Sequence, residues 1–178
     1  TCALPISFRI TGGKKLKGDL IPQGAKNEAL QILSAVLLSS DEIIIENIPD
    51  IRDVNRMIEL LQGLGVKVAK LSENNYSFTA NQINLDYLHS REFRQKATKI
   101  RGSIMIIGPL LARFGQGYIP SPGGDKIGRR RLDTHFLGFE ALGAHFEFLA
   151  DENFYKVTSQ NGLKGNYMLL NEASVTGT

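Results

Sequence analysis

The chain repeats itself. Laid on itself at an offset of roughly 71 to 80 residues, it gives the same order of helix-like and strand-like segments twice, a period that marks a repeated supersecondary unit. In the first unit, 27–39 (N-E-A-L-Q-I-L-S-A-V-L-L-S) reads as a helix that is apolar nearly all round, and 43–49 (I-I-I-E-N-I-P) as a strand ended by proline. Val54, Met57, Ile58 and Leu61 then fall at i, i+3, i+4 and i+7, the spacing of an amphipathic helix, which Gly65 closes. Two strand-like runs, V-K-V-A-K and N-Y-S-F-T-A, complete the unit around a turn containing S-E-N. The second unit runs in the same order: helix R-G-S-I-M-I-I-G-P-L-L-A-R-F-G, strand G-Y-I-P, helix L-D-T-H-F-L-G-F-E-A-L-G, then A-H-F-E-F and F-Y-K-V-T-S. A third unit begins, because L-K-G-D-L-I-P-Q-G-A-K-N (16–27) recurs as L-K-G-N-Y-M-L-L-N-E-A-S (163–174), at about twice the single period. The expectation is an α/β fold of repeated units, with buried helices inside a shell of sheets and outer helices, in a chain that reads as incomplete.

Composition narrows the class without naming a function. With 42% hydrophobic and 22% charged residues in 178, the chain is an ordinary globular sequence. Its longest nearly apolar run, Ser103 to Ala112, is about half of the roughly 20 residues a membrane helix needs, and no signal-peptide pattern opens the chain. A cytoplasmic protein with no membrane partner is expected. Cys2 is the one cysteine, and His89, His135 and His145 lack metal-site spacing, so no metal and no cofactor are expected. A net charge of +3 is too small for the broad basic face of a nucleic-acid binder, and aromatic residues do not interleave with the arginines.

The repeat separates scaffold from chemistry, since positions common to both units serve the fold. Asp133 precedes its helix much as Asp53 precedes the equivalent one, which a helix N-cap explains. The run P-G-G-D-K-I-G-R-R-R (122–131) has as counterpart only I-P-D-I-R-D. Gly123, Gly124, Asp125, Lys126, Gly128, Arg129, Arg130 and Arg131 are therefore a local elaboration, in which glycines permit close backbone approach and arginines offer forked donors that match phosphate. Gly24-Ala25-Lys26-Asn27 and Lys99-Ile100-Arg101-Gly102 put cations at the starts of the two apolar helices, where the macrodipole favours anions. A bound anion accounts for them. Two such helix starts and an arginine loop imply a ligand with more than one acidic group.

These segments resemble the N-terminal part of the UDP-N-acetylglucosamine enolpyruvyl transferases, from F-R-I-T-G-G to the end of the chain. The resemblance is carried by G-A-K-N (24–27), G-P-L-L-A-R-F-G-Q-G (108–117), P-G-G-D-K-I-G-R-R (122–130), the L-D-T-H that follows, and E-A-S-V (172–175). It implies two domains, each of three repeated α/β units of βαβαββ type packed around buried helices, an inside-out α/β barrel, with the active site in the cleft between them. Residues 1–21 would be a strand segment belonging to the second domain, and 22–178 the first catalytic domain, with two units and the start of a third. The reaction it implies is transfer of the enolpyruvyl group of phosphoenolpyruvate to the 3-hydroxyl of UDP-N-acetylglucosamine, by addition followed by loss of phosphate. This is the committed step of peptidoglycan synthesis. Lys26 and Asn27 match contacts to phosphoenolpyruvate, and Arg130 matches the arginine that clamps its phosphate. Arg101, Arg130, Arg131, Leu132, Asp133, Thr134, Glu172, Ala173, Ser174 and Val175 match contacts to the nucleotide sugar. The C-terminal part of the enzyme would be the partner, and the chain alone would not turn over.

The chain departs from the family at Asp125, where most members carry a cysteine that acts as general acid toward the methylene carbon and is the target of fosfomycin. Asp125 serves either as that acid, with its pKa raised by substrate burial, or in product release and loop ordering. Other readings are a nucleotide-sugar binding domain without turnover and a relative of the shikimate-pathway enolpyruvyl transferase, against which K-N and G-G-D-K-I-G-R-R count.

Overall fold

The computed structural model describes residues 9–120, 132–150 and 154–169. Residues 9–25 carry no helix or strand, and the first unit starts with α1 (Lys26–Ala35), prolonged by a 3-10 turn at Val36–Leu38. It continues through β1 (Glu42–Ile45), α2 (Arg52–Gly63), β2 (Lys67–Lys70) and β3 (Tyr76–Thr79). β3 lies between β1 and β2 and runs antiparallel to both, so those two strands are parallel and α2 is their crossover. A linker holds a 3-10 turn (Leu85–His89) and α3 (Arg91–Ala97). The second unit then repeats the plan: a 3-10 segment (Arg101–Ile106) leading into α4 (Ile107–Phe114), β4 (Gln116–Pro120), α5 (Asp133–Ala141), β5 (His145–Leu149) and β6 (Phe154–Thr158). Its sheet has the order β4-β6-β5, again with the last strand central and antiparallel to its neighbours.

The repeat therefore extends to residue register. Ile43, Phe78 and Val68 form one row of the first sheet, and Gly117, Val157 and Phe146 form the equivalent row of the second. Phe78 and Val157 sit at the centres of those rows, fully buried. Gly65 and Gly143 close α2 and α5 at φ +96° and +92°, a left-handed backbone that any side chain would strain.

Three expectations need correcting. The segment 101–115 is not one α-helix. Pro109 has no amide hydrogen for the carbonyl of Met105 and its ring would crowd that carbonyl, so regular α-helix begins at Ile107 and the residues before it wind as 3-10. Nor is the first helix buried all round: Ala29, Leu30, Leu33 and Ser34 face inward, whereas Ile32, and Leu38 in the 3-10 turn that prolongs it, are 41% and 54% exposed. Finally, Asp53 and Asp133 are not N-caps. Ile51 and Leu132 hold those positions, without side-chain capping bonds, and the two aspartates fall in the first helical turn, where a carboxylate still opposes the macrodipole.

Residues 81–98, to which sequence reading assigned no element, close the back of the second sheet. Asn84 accepts from the Asp86 amide and Ser90 from the Phe93 amide, at 3.1 and 3.0 Å, and these bonds start the two turns of the linker. Phe93 is fully buried with its ring 6.4 Å from that of Phe154, and His89 meets Tyr118 edge-on at 4.1 Å. Tyr118 and Phe154 thus join the core of the first unit, while Ile119, Tyr155 and Val157, alternate along the same strands, pack with Ile104, Ile107 and Phe136 in a second core.

Arg113 ties the two units together. Its Nη1 lies 3.0, 3.0 and 2.8 Å from the carbonyls of Leu37, Ser39 and Ala80, two of them acceptors left open where the first helix ends and the third just past β3. Arg113→Met keeps the apolar stem and removes the donors. The expected cost is about 3 kcal/mol in denaturant unfolding, since half-buried carbonyls lose charge-assisted partners. An unchanged unfolding midpoint would show that water replaces the guanidinium at no cost.

Candidate active site

The starts of α1, α2 and the 101–106 segment are held together by side chains of α2. Lys26, first residue of α1, follows Ala25, which caps nothing with its side chain. Its Nζ lies 3.0 Å from Oδ2 of Asp53 in the first turn of α2, in a pair whose side chains are 49% and 38% exposed. One turn along α2, Arg56 Nη1 donates to the Lys99 carbonyl at 3.2 Å, just ahead of Arg101. Asp50 accepts from Asn55 Nδ2 at 2.7 Å and closes the loop into α2. The cation at the start of α1, for which sequence reading sought a bound anion, therefore already has one from the protein.

Two glycines permit this convergence. A Cβ on Gly24 would stand 2.1 Å from the Asn47 carbonyl oxygen, and one on Gly102 2.9 Å from Leu30 Cδ1. Asn47 itself adopts φ 56°, and its amide donates to Asn75 Oδ1 at 3.1 Å. The G-A-K-N stretch is thus seated on a loop whose backbone is tied to the β2–β3 turn.

Of the residues singled out from sequence, Lys26 and Asn27 lie exposed in the first turn of α1, and half-buried Arg101 opens the 3-10 segment packed against that helix. Leu132 is buried with Ile104 and Ile107, which docks the start of α5, with Asp133 and Thr134, onto the segment that Arg101 begins. Asp125, Arg130, Arg131, Glu172, Ala173, Ser174 and Val175 lie outside the described residues. Sequence reading missed the tie between α2 and the other two helix starts. Asp53 was noticed only as a helix-start residue, and nothing in the spacing of Lys26 and Asp53 announces that they meet. A cleft of about 320 Å³ lined by His145, Asn161 and Lys164 contains none of these residues. Among the described residues no group of three or more His, Cys, Asp or Glu is placed to hold a metal, and no helix is long and apolar enough to cross a membrane.

The architecture is found in solved enolpyruvyl transferases. EPSP synthase from Acinetobacter baumannii superposes with a TM-score of 0.65 at 14% identity, over 93% of this chain and 38% of its own. The enolpyruvyl transferase NikO from Streptomyces tendae superposes with a TM-score of 0.62 at 19% identity, over 85% of this chain and 32% of its own. The class is thus an α/β protein with the enolpyruvyl transferase fold. The family model described as EPSP synthase (3-phosphoshikimate 1-carboxyvinyltransferase) matches residues 10–178, and the chain belongs to that family. Among curated relatives, the UDP-N-acetylglucosamine 1-carboxyvinyltransferases of Porphyromonas gingivalis and Bacteroides thetaiotaomicron are 53% and 54% identical over 97% of this chain. That of Treponema denticola is 43% identical over 96%. The chain spans about 39% of the length of the first two.

Proposed function

We propose that the full-length protein containing this chain transfers the enolpyruvyl group of phosphoenolpyruvate to the 3-hydroxyl of UDP-N-acetylglucosamine. The observation that carries the proposal is the 53–54% identity over 97% of the chain to relatives bearing that activity in their names. The exposed Lys26 at a helix start, joined through α2 to the segment that Arg101 opens, supports it by offering cations where a multiply charged ligand can dock. In the addition step the sugar 3-oxygen bonds to C2 of phosphoenolpyruvate, the hydroxyl proton leaves to a base, and a proton is delivered to the methylene carbon. In the second step a proton leaves that carbon and the C2–O bond to phosphate breaks, which restores the vinyl group.

In this reading Lys26, Asn27 and Arg130 bind phosphoenolpyruvate. Arg101, Arg130 to Thr134 and Glu172 to Val175 bind the nucleotide sugar, and Asp125 is the acid or orders its loop. Residues 1–21 belong to a second domain that closes the cleft, and residues 22–178 to the first. Closure matters because proximity and exclusion of water supply much of the rate. The protein works in the cytoplasm, in cell-wall synthesis, without a cofactor. The test is phosphate release by the full-length protein. Release is expected with phosphoenolpyruvate and UDP-N-acetylglucosamine together, and with neither alone. Release with shikimate 3-phosphate instead would move the assignment to the other branch of the family, and saturable sugar-nucleotide binding without release would leave a binding domain.

A further inference from the structure

We infer that Asp53 is a positioning residue for Lys26: its carboxylate holds the ammonium in place at the start of α1 before an anionic substrate arrives. The inference rests on the reading that Lys26 binds phosphoenolpyruvate. Lysine is an unfavourable first residue for a helix, because unsatisfied amides and the macrodipole make that end positive. It is also a compact charge on a flexible four-carbon stem, so nothing in α1 itself fixes where the charge sits. The only acidic residue in the first turn of α1 is Glu28, whereas the atom that Lys26 Nζ meets, at 3.0 Å, is Oδ2 of Asp53 on another helix.

The geometry suits positioning better than stabilisation. Both side chains are more than a third exposed, and exposed pairs of this kind add little to stability. The pair spans 27 positions of sequence and joins two helix starts, one of them tied by Arg56 to the segment carrying Arg101. Asp53 is thus anchored to the frame of the site, while the open side of the Lys26 ammonium stays available to a ligand. An incoming anion can then reach the exposed part of the lysine.

The test uses the full-length protein with Asp53→Asn, which keeps shape and loses charge, and Asp53→Glu, which keeps charge and moves it by about one methylene. For Asp53→Asn we expect kcat/KM for phosphoenolpyruvate to fall about a hundredfold, the loss that a misplacement of about 1 Å produces. KM for the nucleotide sugar should stay within about twofold and Tm within about 2 °C, as for loss of an exposed pair. Asp53→Glu should recover part of the loss. Independently of turnover, brief acetylation followed by peptide mass spectrometry should label Lys26 about threefold faster in Asp53→Asn, relative to Lys67, once the charge-assisted bond is gone. Wild-type kcat/KM in Asp53→Asn, a loss accompanied by a larger fall in Tm, or unchanged labelling of Lys26 would each overturn the inference. If the wild-type protein does not transfer enolpyruvate, the functional reading fails, and the labelling result still decides whether Asp53 holds Lys26.

Discussion

Asp125→Cys in the full-length protein is expected to convert an enzyme that withstands fosfomycin into one that the drug inactivates covalently, with a rise in inactivation rate of about three orders of magnitude. The drug acts by opening its epoxide on a nucleophile. A carboxylate is a far weaker nucleophile toward that ring than a thiolate, so an enzyme with aspartate at this position resists by chemistry rather than by failing to bind. Under the proposed function Lys26 and Arg130 would remain as partners for the phosphonate, and weak reversible competition with phosphoenolpyruvate is expected of the unmodified protein. The same substitution should raise the pH optimum. A thiol stays protonated to about pH 8.5 and a free aspartate only to about pH 3.9, so the acid form persists to higher pH in the variant unless burial raises the aspartate by several units. Intact mass after incubation with drug and nucleotide sugar reads the outcome. An adduct on Asp125 of the unmodified protein would overturn resistance by chemistry, and none on the cysteine variant would remove position 125 from the face of the substrate.

Gly24→Ala should lower kcat/KM for phosphoenolpyruvate by about two orders of magnitude through backbone displacement alone. The added Cβ would stand 2.1 Å from the Asn47 carbonyl oxygen and 3.1 Å from Pro49 Cδ. That carbonyl cannot swing aside cheaply. Its residue is held at φ 56° by the bond from its amide to Asn75, and the next amide, of Ile48, donates to the Asn74 carbonyl at 2.8 Å. The start of α1 must therefore move, taking Lys26 with it, and overpacking of this kind costs about 1 to 3 kcal/mol of stability. Gly102→Ala is the comparison. There the obstacle is the end of the Leu30 side chain at 2.9 Å, which can change rotamer, so the loss should be several-fold smaller. Equal effects would mean that the Asn47 loop does not set the position of Lys26.

Much of the fold was legible because it is written twice. Hydrophobic period and closing glycines located α2, α5 and the strands after the first to within a residue or two, whereas β1 ends at Ile45, four residues before the Pro49 that the sequence reading took as its end; the repeat in sequence became a repeat in sheet order and register. Local propensity failed where a single residue overrode a pattern. Pro109 split an apolar run that reads as one helix, and the linker at 81–98, with no counterpart in the first unit, had no second copy to expose it. The cations were legible for a different reason: charge at a helix start conflicts with the macrodipole, and a conflict between local physics and residue choice is visible without coordinates.

By itself, then, the sequence determined which residues bear charge, which faces are apolar and that two like units follow one another. Those properties depend on chemistry and on spacing along the chain. Tertiary structure alone decided that Asp53 meets Lys26, that Arg56 reaches the carbonyl before Arg101, and that Arg113 closes the end of a helix in the other unit. Each of these contacts joins positions far apart in sequence, through bonds whose length depends on the packing of several helices at once, and no local period encodes that distance.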